Sequence, residues 1–150
     1  MGPIYNFQQV NDLLACSGQP TEEQLQGIAK EGYQVVINLA LAGAKYALPD
    51  EAASVAGLGL TYHHIPVLFD SPQIQELEDF LGLMKQHQNE KILVHCAANY
   101  RASCFTGLYL LATQQFDQGE MDDFIANIWQ PDPVWQQFME DGVEFVQTDL

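Results

Sequence analysis

Positive charge is what this sequence has least of. Its 150 residues hold four lysines and a single arginine, Arg101, against 20 Asp and Glu, for a net charge of −15. Nucleic acid and anionic membrane surfaces are gripped through basic patches, so the composition argues against both as partners. A small anion remains within reach. Backbone N–H groups and one guanidinium act at close range, where a distant acidic surface is largely screened. Long apolar runs are also missing, and no stretch approaches the roughly 20 residues of a membrane-spanning helix. The N-terminus has no basic region followed by an apolar stretch, and Asn6 stands where a myristoylation signal wants Ser or Thr.

Cysteine is scarce and odd in number: Cys16, Cys96 and Cys104. Their spacing suits no metal site, and the odd count suits free thiols. Reducing surroundings and a cytoplasmic location are therefore favoured, with a periplasmic one open to a chain whose signal peptide has been removed. The clustered acids Glu120, Asp122 and Asp123 read as a charged first helical turn, not as a metal centre. No repeat or linker divides residues 1–150, which are expected to form one domain.

What is present is an alternation of short apolar runs and longer amphipathic ones, the pattern of an α/β fold. Leu13 to Cys16 reads as a short strand, broken by Ser17-Gly18-Gln19-Pro20. Thr21 caps a helix with Glu22 and Glu23 in its first turn, Gln24 three residues on, and Gly32 at its end. Val35 to Leu39 is a β-branched run suited to a strand buried on both faces. A short helix is expected from Pro49 to near Gly57, and a strand from Leu60 to His64. Ser71-Pro72 reads as an N-cap followed by proline at the first helical position, opening a helix to His87. Lys91 to His95 is a strand, and the helix after it carries Phe105, Leu108, Leu111 and Ala112. Two further helical patterns surround Ile125 and Trp135, with Pro131 and Pro133 between them.

The chemistry is concentrated in His95-Cys96-Ala97-Ala98-Asn99-Tyr100-Arg101-Ala102-Ser103. A cysteine at a strand tip, a short loop and a helix start aim successive N–H groups and the positive helix end into one small cup. The lone arginine lies there too. Each of these favours thiolate, and such settings lower a cysteine pKa from about 8.5 to roughly 3.5–7.5. Residues Ala97, Ala98, Asn99, Tyr100 and Arg101 are the expected oxyanion binders. Ser103 is placed to donate its hydroxyl to the thiolate, and His95 to brace the loop. His63 and His64 are adjacent and point to opposite strand faces, so at least one is ordinary. Cys104, Trp129 and Trp135 read as core, and Cys16 has no assigned part.

His-Cys, a short loop, Arg and a nearby Ser resemble the signature of cysteine-dependent tyrosine and dual-specificity phosphatases. Ser17-Gly18-Gln19-Pro20-Thr21, Val36-Ile37-Asn38-Leu39 and Ile65-Pro66-Val67 resemble the bacterial beta-lactamase-hydrolase-like (phosphatase-like) domain family over residues 11 to 115. The resemblance implies a central, mostly parallel sheet with helices on both faces and hydrolysis of a phosphate monoester through a phosphocysteine on Cys96. Those phosphatases use C-x5-R with a glycine in the loop. Here the spacing is C-x4-R, with Asn99 in the glycine's region and Ala102 between Arg101 and Ser103. Asparagine tolerates the left-handed conformation that glycine would supply.

A six-residue loop is also similar to that of rhodanese sulfurtransferases, whose cysteine carries a persulfide. Three readings follow: a phosphatase-like hydrolase, a sulfurtransferase, or an oxyanion-binding module without turnover. All take a small oxyanionic ligand, a phosphate ester or a sulfur donor, and none needs a metal or organic cofactor. For the first, Asp70, in a loop 26 residues before Cys96, is the candidate general acid. Capping of the following helix by Asp70 or Ser71 is the competing explanation.

Overall fold

The computed structural model of the protein describes residues 3–148. Five strands form one sheet in the order β1-β2-β5-β3-β4, where β1 is Gln8–Asn11, β2 Leu14–Ser17, β3 Val35–Asn38, β4 Thr61–His64 and β5 Ile92–His95. Strands β2, β5, β3 and β4 are parallel, and only β1 runs antiparallel, against β2. The six helices are α1 (Glu22–Lys30), α2 (Glu51–Gly57), α3 (Ile74–Gln86), α4 (Tyr100–Ala112), α5 (Gln118–Ala126) and α6 (Pro133–Thr148).

Side-chain alternation explains the layering. Leu14, Cys16, Val35, Ile37, Ile92 and Val94 face a large apolar layer with residues of α3, α4, α5 and α6. Ala15, Val36 and Leu93 point the other way, toward Ile28 of α1 and Val55 of α2. Both faces are covered, so β2, β3 and β5 are buried at every position, as parallel strands require. Among the described residues, no helix is long and apolar enough to cross a membrane.

The structure adds one strand and changes one local expectation. Strand β1, Gln-Gln-Val-Asn, is an exposed polar edge strand that no apolar alternation announces. It is held by a tight turn in which the Leu13 amide donates to Asn11 Oδ1 at 2.8 Å. Ser71-Pro72 does not start α3. The helix begins at Ile74 with Gln73 as its N-cap, and the Gln73 amide donates to Glu76 Oε1 at 2.8 Å. The Ser71 hydroxyl accepts from the Gln73 side chain instead. Neither Asp70 nor Ser71 caps the helix, which removes the structural explanation for Asp70. Pro133, in contrast, opens α6, where its missing N–H costs nothing.

On the edge strand β4, Nε2 of His63 shares a hydrogen bond of 2.9 Å with Nε2 of His87. Nδ1 of His87 reaches Glu90 at 2.7 Å. Desolvation, and then the neighbouring His87, hold His63 below the ordinary imidazole pKa. The unfolded chain therefore binds this proton more readily than the native one. Stability from this pair is present above about pH 6.5 and declines as pH falls through the depressed value. Thermal melts from pH 7.5 down to 5 are expected to show a shallower acid-side loss for His63→Gln than for wild type. Parallel curves would refute the link.

Candidate active site

The parallel strands all end on one side of the sheet, where an open α/β sheet places its ligand crevice. Strand β5 ends at His95, Cys96 follows, and α4 begins at Tyr100. The turn between them is made by Asn99, at φ 70° and ψ 9°, the left-handed conformation that the absent glycine would otherwise take. Its side chain is clasped: Asn99 Nδ2 donates to the Asn6 carbonyl at 2.8 Å, and Asn6 Nδ2 donates to the Ala98 carbonyl at 3.0 Å.

The Gln19 amide donates to the Ala97 carbonyl at 2.9 Å. A Cβ on Gly18 would lie 2.6 Å from that same oxygen, so only glycine lets the turn approach this closely. Because a trans peptide carries its carbonyl and N–H on opposite sides, holding the Ala97 oxygen on Gln19 turns the Ala98 N–H the other way.

Cys96 sits at the floor of this loop, 1% exposed. Its Sγ accepts a hydrogen bond from the Ala102 amide at 3.4 Å, one of the first-turn N–H groups that have no acceptor within their own helix. That amide, not Ser103, is the donor to the sulfur. The Ser103 hydroxyl donates to the Tyr100 carbonyl at 2.8 Å and accepts from Trp129 Nε1 at 3.2 Å. Ser103 is thus a brace for the first turn of α4, and Trp129 stacks on the Tyr100 ring at 4.4 Å. Cys16 and Cys104 lie buried in the core. Burial pushes the Cys16 thiol up to about 12, against a lowering hydrogen bond from Asn99. Burial raises the Cys104 thiol as well.

Arg101 is 5% exposed. Its Nη1 donates to the Val67 carbonyl at 2.8 Å and its Nη2 to the Tyr46 hydroxyl at 3.4 Å, while Nε is buried without an acceptor. The guanidinium therefore joins three loops: the cysteine loop, the Tyr46 loop before α2, and the segment after β4. That last segment carries Asp70, an exposed residue. It is anchored just before it, where Phe69 packs near Tyr100, Trp129 and Trp135 and its carbonyl accepts from Trp135 Nε1 at 2.7 Å. Asp70 thus hangs from a loop tied to the arginine of the cup.

His95 is fully buried. Its Nδ1 lies 3.2 Å from the Cys96 carbonyl and its Nε2 2.5 Å from Glu51 Oε2. Gln19 Nε2 donates to Glu51 Oε1 at 2.8 Å. Burial would raise the Glu51 carboxyl, but the hydrogen bond and charge of His95 and the Gln19 bond together hold it below its ordinary value. Glu51, Gln19, Tyr46, Asn6 and the Val67 carbonyl were not singled out in the sequence as site groups. They come from positions far along the chain; Gln19 and Val67 lie in segments that carry the family resemblance, but nothing in the sequence assigned them a part in the site. Among the described residues, no group of three or more His, Cys, Asp or Glu is placed to hold a metal ion.

The chain that carries this cysteine, guanidinium and acid-bearing loop is similar to known proteins. Residues 6–123 fit the family described as a DSP-PTPase phosphatase fused to NAD+ kinase. The chain belongs to this phosphatase family. Two beta-lactamase hydrolase-like proteins from Xylella fastidiosa, strains Temecula1 and 9a5c, are each 30% identical to it over 115 residues, 75% of this chain and 25% of theirs. The chain thus spans about a quarter of the length of the curated relatives it matches.

Among solved structures, a DUF442 protein from Shewanella putrefaciens CN-32 superimposes with a TM-score of 0.87 at 36% identity, covering 94% of this chain and 93% of that one. PTPMT1 in complex with PI(5)P gives a TM-score of 0.82 at 12% identity, over 95% and 97% of the two chains. Tk-PTP in its active form gives 0.77 at 17% identity, over 93% and 97%. The last two likenesses establish the fold of this DSP-PTPase domain. The family match and the Shewanella structure support a cysteine-dependent, phosphatase-like hydrolase.

Proposed function

We propose that this domain hydrolyses a small phosphate monoester through a phosphocysteine. The observation that carries the reading is Arg101: a buried guanidinium with Nε–H unpartnered, on the same short loop as a cysteine that accepts a helix amide. A buried N–H without an acceptor is costly, and a phosphoryl oxygen of a bound ester would supply that acceptor. Cys96 Sγ, as thiolate, attacks phosphorus while the bond to the ester oxygen breaks. Asp70 gives its proton to that oxygen, and the alcohol leaves. Water then attacks phosphorus, the P–S bond breaks, Asp70 takes the water's proton, and phosphate departs from the restored thiolate. Arg101 and the loop amides stabilise the charge that spreads over the three equatorial oxygens. A reducing compartment fits this chemistry, because Cys96 must stay a free thiol.

The Asp70 assignment has its own test. With a poor aryl leaving group, Asp70→Asn is expected to lower kcat by on the order of 10²–10⁴. With a good leaving group the loss should shrink toward nothing, since little protonation is needed. Equal effects on both substrates would place Asp70 outside the proton transfer.

One observation favours sulfur transfer as the second reading. The Cys96-to-Arg101 span is six residues, and a cup that short offers fewer amides to a tetrahedral phosphoryl group. In that reaction a thiosulfate or persulfide donor would leave one sulfur atom on Cys96, visible in the intact-protein mass and removed by cyanide or thiol. Phosphate ester turnover inhibited by vanadate, with no added sulfur, decides for the phosphatase.

A further inference from the structure

Resting on the phosphocysteine reading, we propose that Glu51 is a positioning residue for the reaction, sharing one proton with His95 and so locking the imidazole whose Nδ1–H holds the Cys96 carbonyl. Two protons must be placed on this pair. A carbonyl only accepts, so the 3.2 Å approach of His95 Nδ1 to the Cys96 oxygen puts a proton on Nδ1. At 2.5 Å, Nε2 and Glu51 Oε2 also need one proton between them, for two lone pairs repel at that distance. Wherever that second proton lies, Nδ1–H is retained. Without the carboxylate, the ring is free to move its proton to Nε2 and leave the Cys96 carbonyl unpaired.

The remaining contacts extend the lock. Gln19 donates from its side chain to Glu51 Oε1 and from its backbone to the Ala97 carbonyl. The two consecutive carbonyls of Cys96 and Ala97 are thus fixed by one network of Glu51, His95 and Gln19. Their orientation sets the peptide planes from which the cup's amides project.

The charged and titratable groups near Glu51 are few. His95 on β5 and His64 on β4 attract it, while Tyr62 on β4 feels its negative charge together with that of Asp50. His64 is itself engaged with the Ala40 carbonyl. Stability alone does not explain the pair, with its side chains 0% and 6% exposed. Two apolar side chains in such a place are commonly as stable as a buried ion pair.

The experiment reads Cys96 directly, so that its outcome does not depend on the phosphatase reading. Alkylation by iodoacetamide is followed across roughly pH 5–9 by intact mass, alongside aryl phosphate turnover. Glu51→Gln is expected to slow Cys96 alkylation and kcat by about 10- to 100-fold, the range for outer partners that orient a functional imidazole. Wild type is expected to show a far-downfield proton resonance from the Glu51–His95 bond, and Glu51→Gln should erase it. His95→Asn keeps a donor to the Cys96 carbonyl but cannot take a second tautomer, so adding Glu51→Gln to it should change nothing more.

Glu51→Asp, which keeps the carboxylate, should retain the resonance and recover part of both rates; it carries the test if the glutamine variant does not fold. Wild-type alkylation and turnover in Glu51→Gln, an undiminished Glu51→Gln effect in the His95→Asn background, or loss of both rates in Glu51→Asp with the resonance intact would overturn the proposal. Altered alkylation with no phosphatase activity in wild type would retain the lock and reject the phosphatase reading instead.

Discussion

Cys96→Ser is expected to abolish hydrolysis of phosphate monoesters, by about 10⁴-fold or more in kcat, in keeping with losses on removing a nucleophile that works as part of a unit. The substitution changes little else. Serine is the smaller side chain, its oxygen can accept the Ala102 amide hydrogen as the sulfur does, and the hydroxyl meets the same buried floor. What is lost is the sulfur nucleophile, because a serine hydroxyl stays protonated near neutrality and is a weak nucleophile without activation. The fold should therefore survive, with an unchanged far-UV spectrum, and vanadate should still bind. Turnover within tenfold of wild type would dismiss the phosphocysteine. Loss of vanadate binding together with turnover would mean that the variant damaged the cup and not only its nucleophile.

The second large effect belongs to Arg101. Arg101→Ala is expected to lower kcat/KM by about 10²–10³, the cost of losing one preorganised donor to developing negative charge. The protein should also lose about 1–3 kcal/mol of stability, because the Val67 carbonyl gives up its buried donor. Arg101→Lys is the sharper variant. It restores the charge but not the fork, and a lysine cannot serve the Val67 carbonyl, the Tyr46 hydroxyl and an oxyanion from one planar group. Stability is expected to return more fully than turnover. No second arginine exists in the chain to substitute. If the lysine variant keeps turnover within a few-fold of wild type, the guanidinium acts only as a point charge and the geometric account fails.

The positions of Cys96, His95 and Arg101 were readable in the linear order of residues because one short loop carries all three. Strand tip, turn and helix start are local events, decided by neighbours a few positions apart. The same holds for the Thr21 cap, whose hydroxyl meets the Gln24 amide at 3.1 Å, and for the buried β-branched run of β3. Asn99 in place of glycine was legible for this reason too, since the left-handed region is a property of one residue and its own side chain.

Ser71-Pro72 shows where local signals compete. Two adjacent cap candidates were available, and the Gln73–Glu76 bond, one step further on, placed the helix start. Strand β1 could not be read at all, because a polar edge strand takes its conformation from the partner it pairs with rather than from an apolar pattern.

The sequence by itself determined an α/β chain with one cysteine–arginine loop and only four lysines as further positive charge. Those are properties of composition and short-range periodicity. Only the tertiary structure decided which groups hold that loop. Asn6 on the Ala98 carbonyl, Gln19 on the Ala97 carbonyl, Glu51 on His95 and the Val67 carbonyl on Arg101 join positions 92, 78, 44 and 34 residues apart. A hydrogen bond depends on distance in space, and distance between remote segments is settled by the parallel strand order, which brings the ends of β2, β3, β4 and β5 to one side of the sheet.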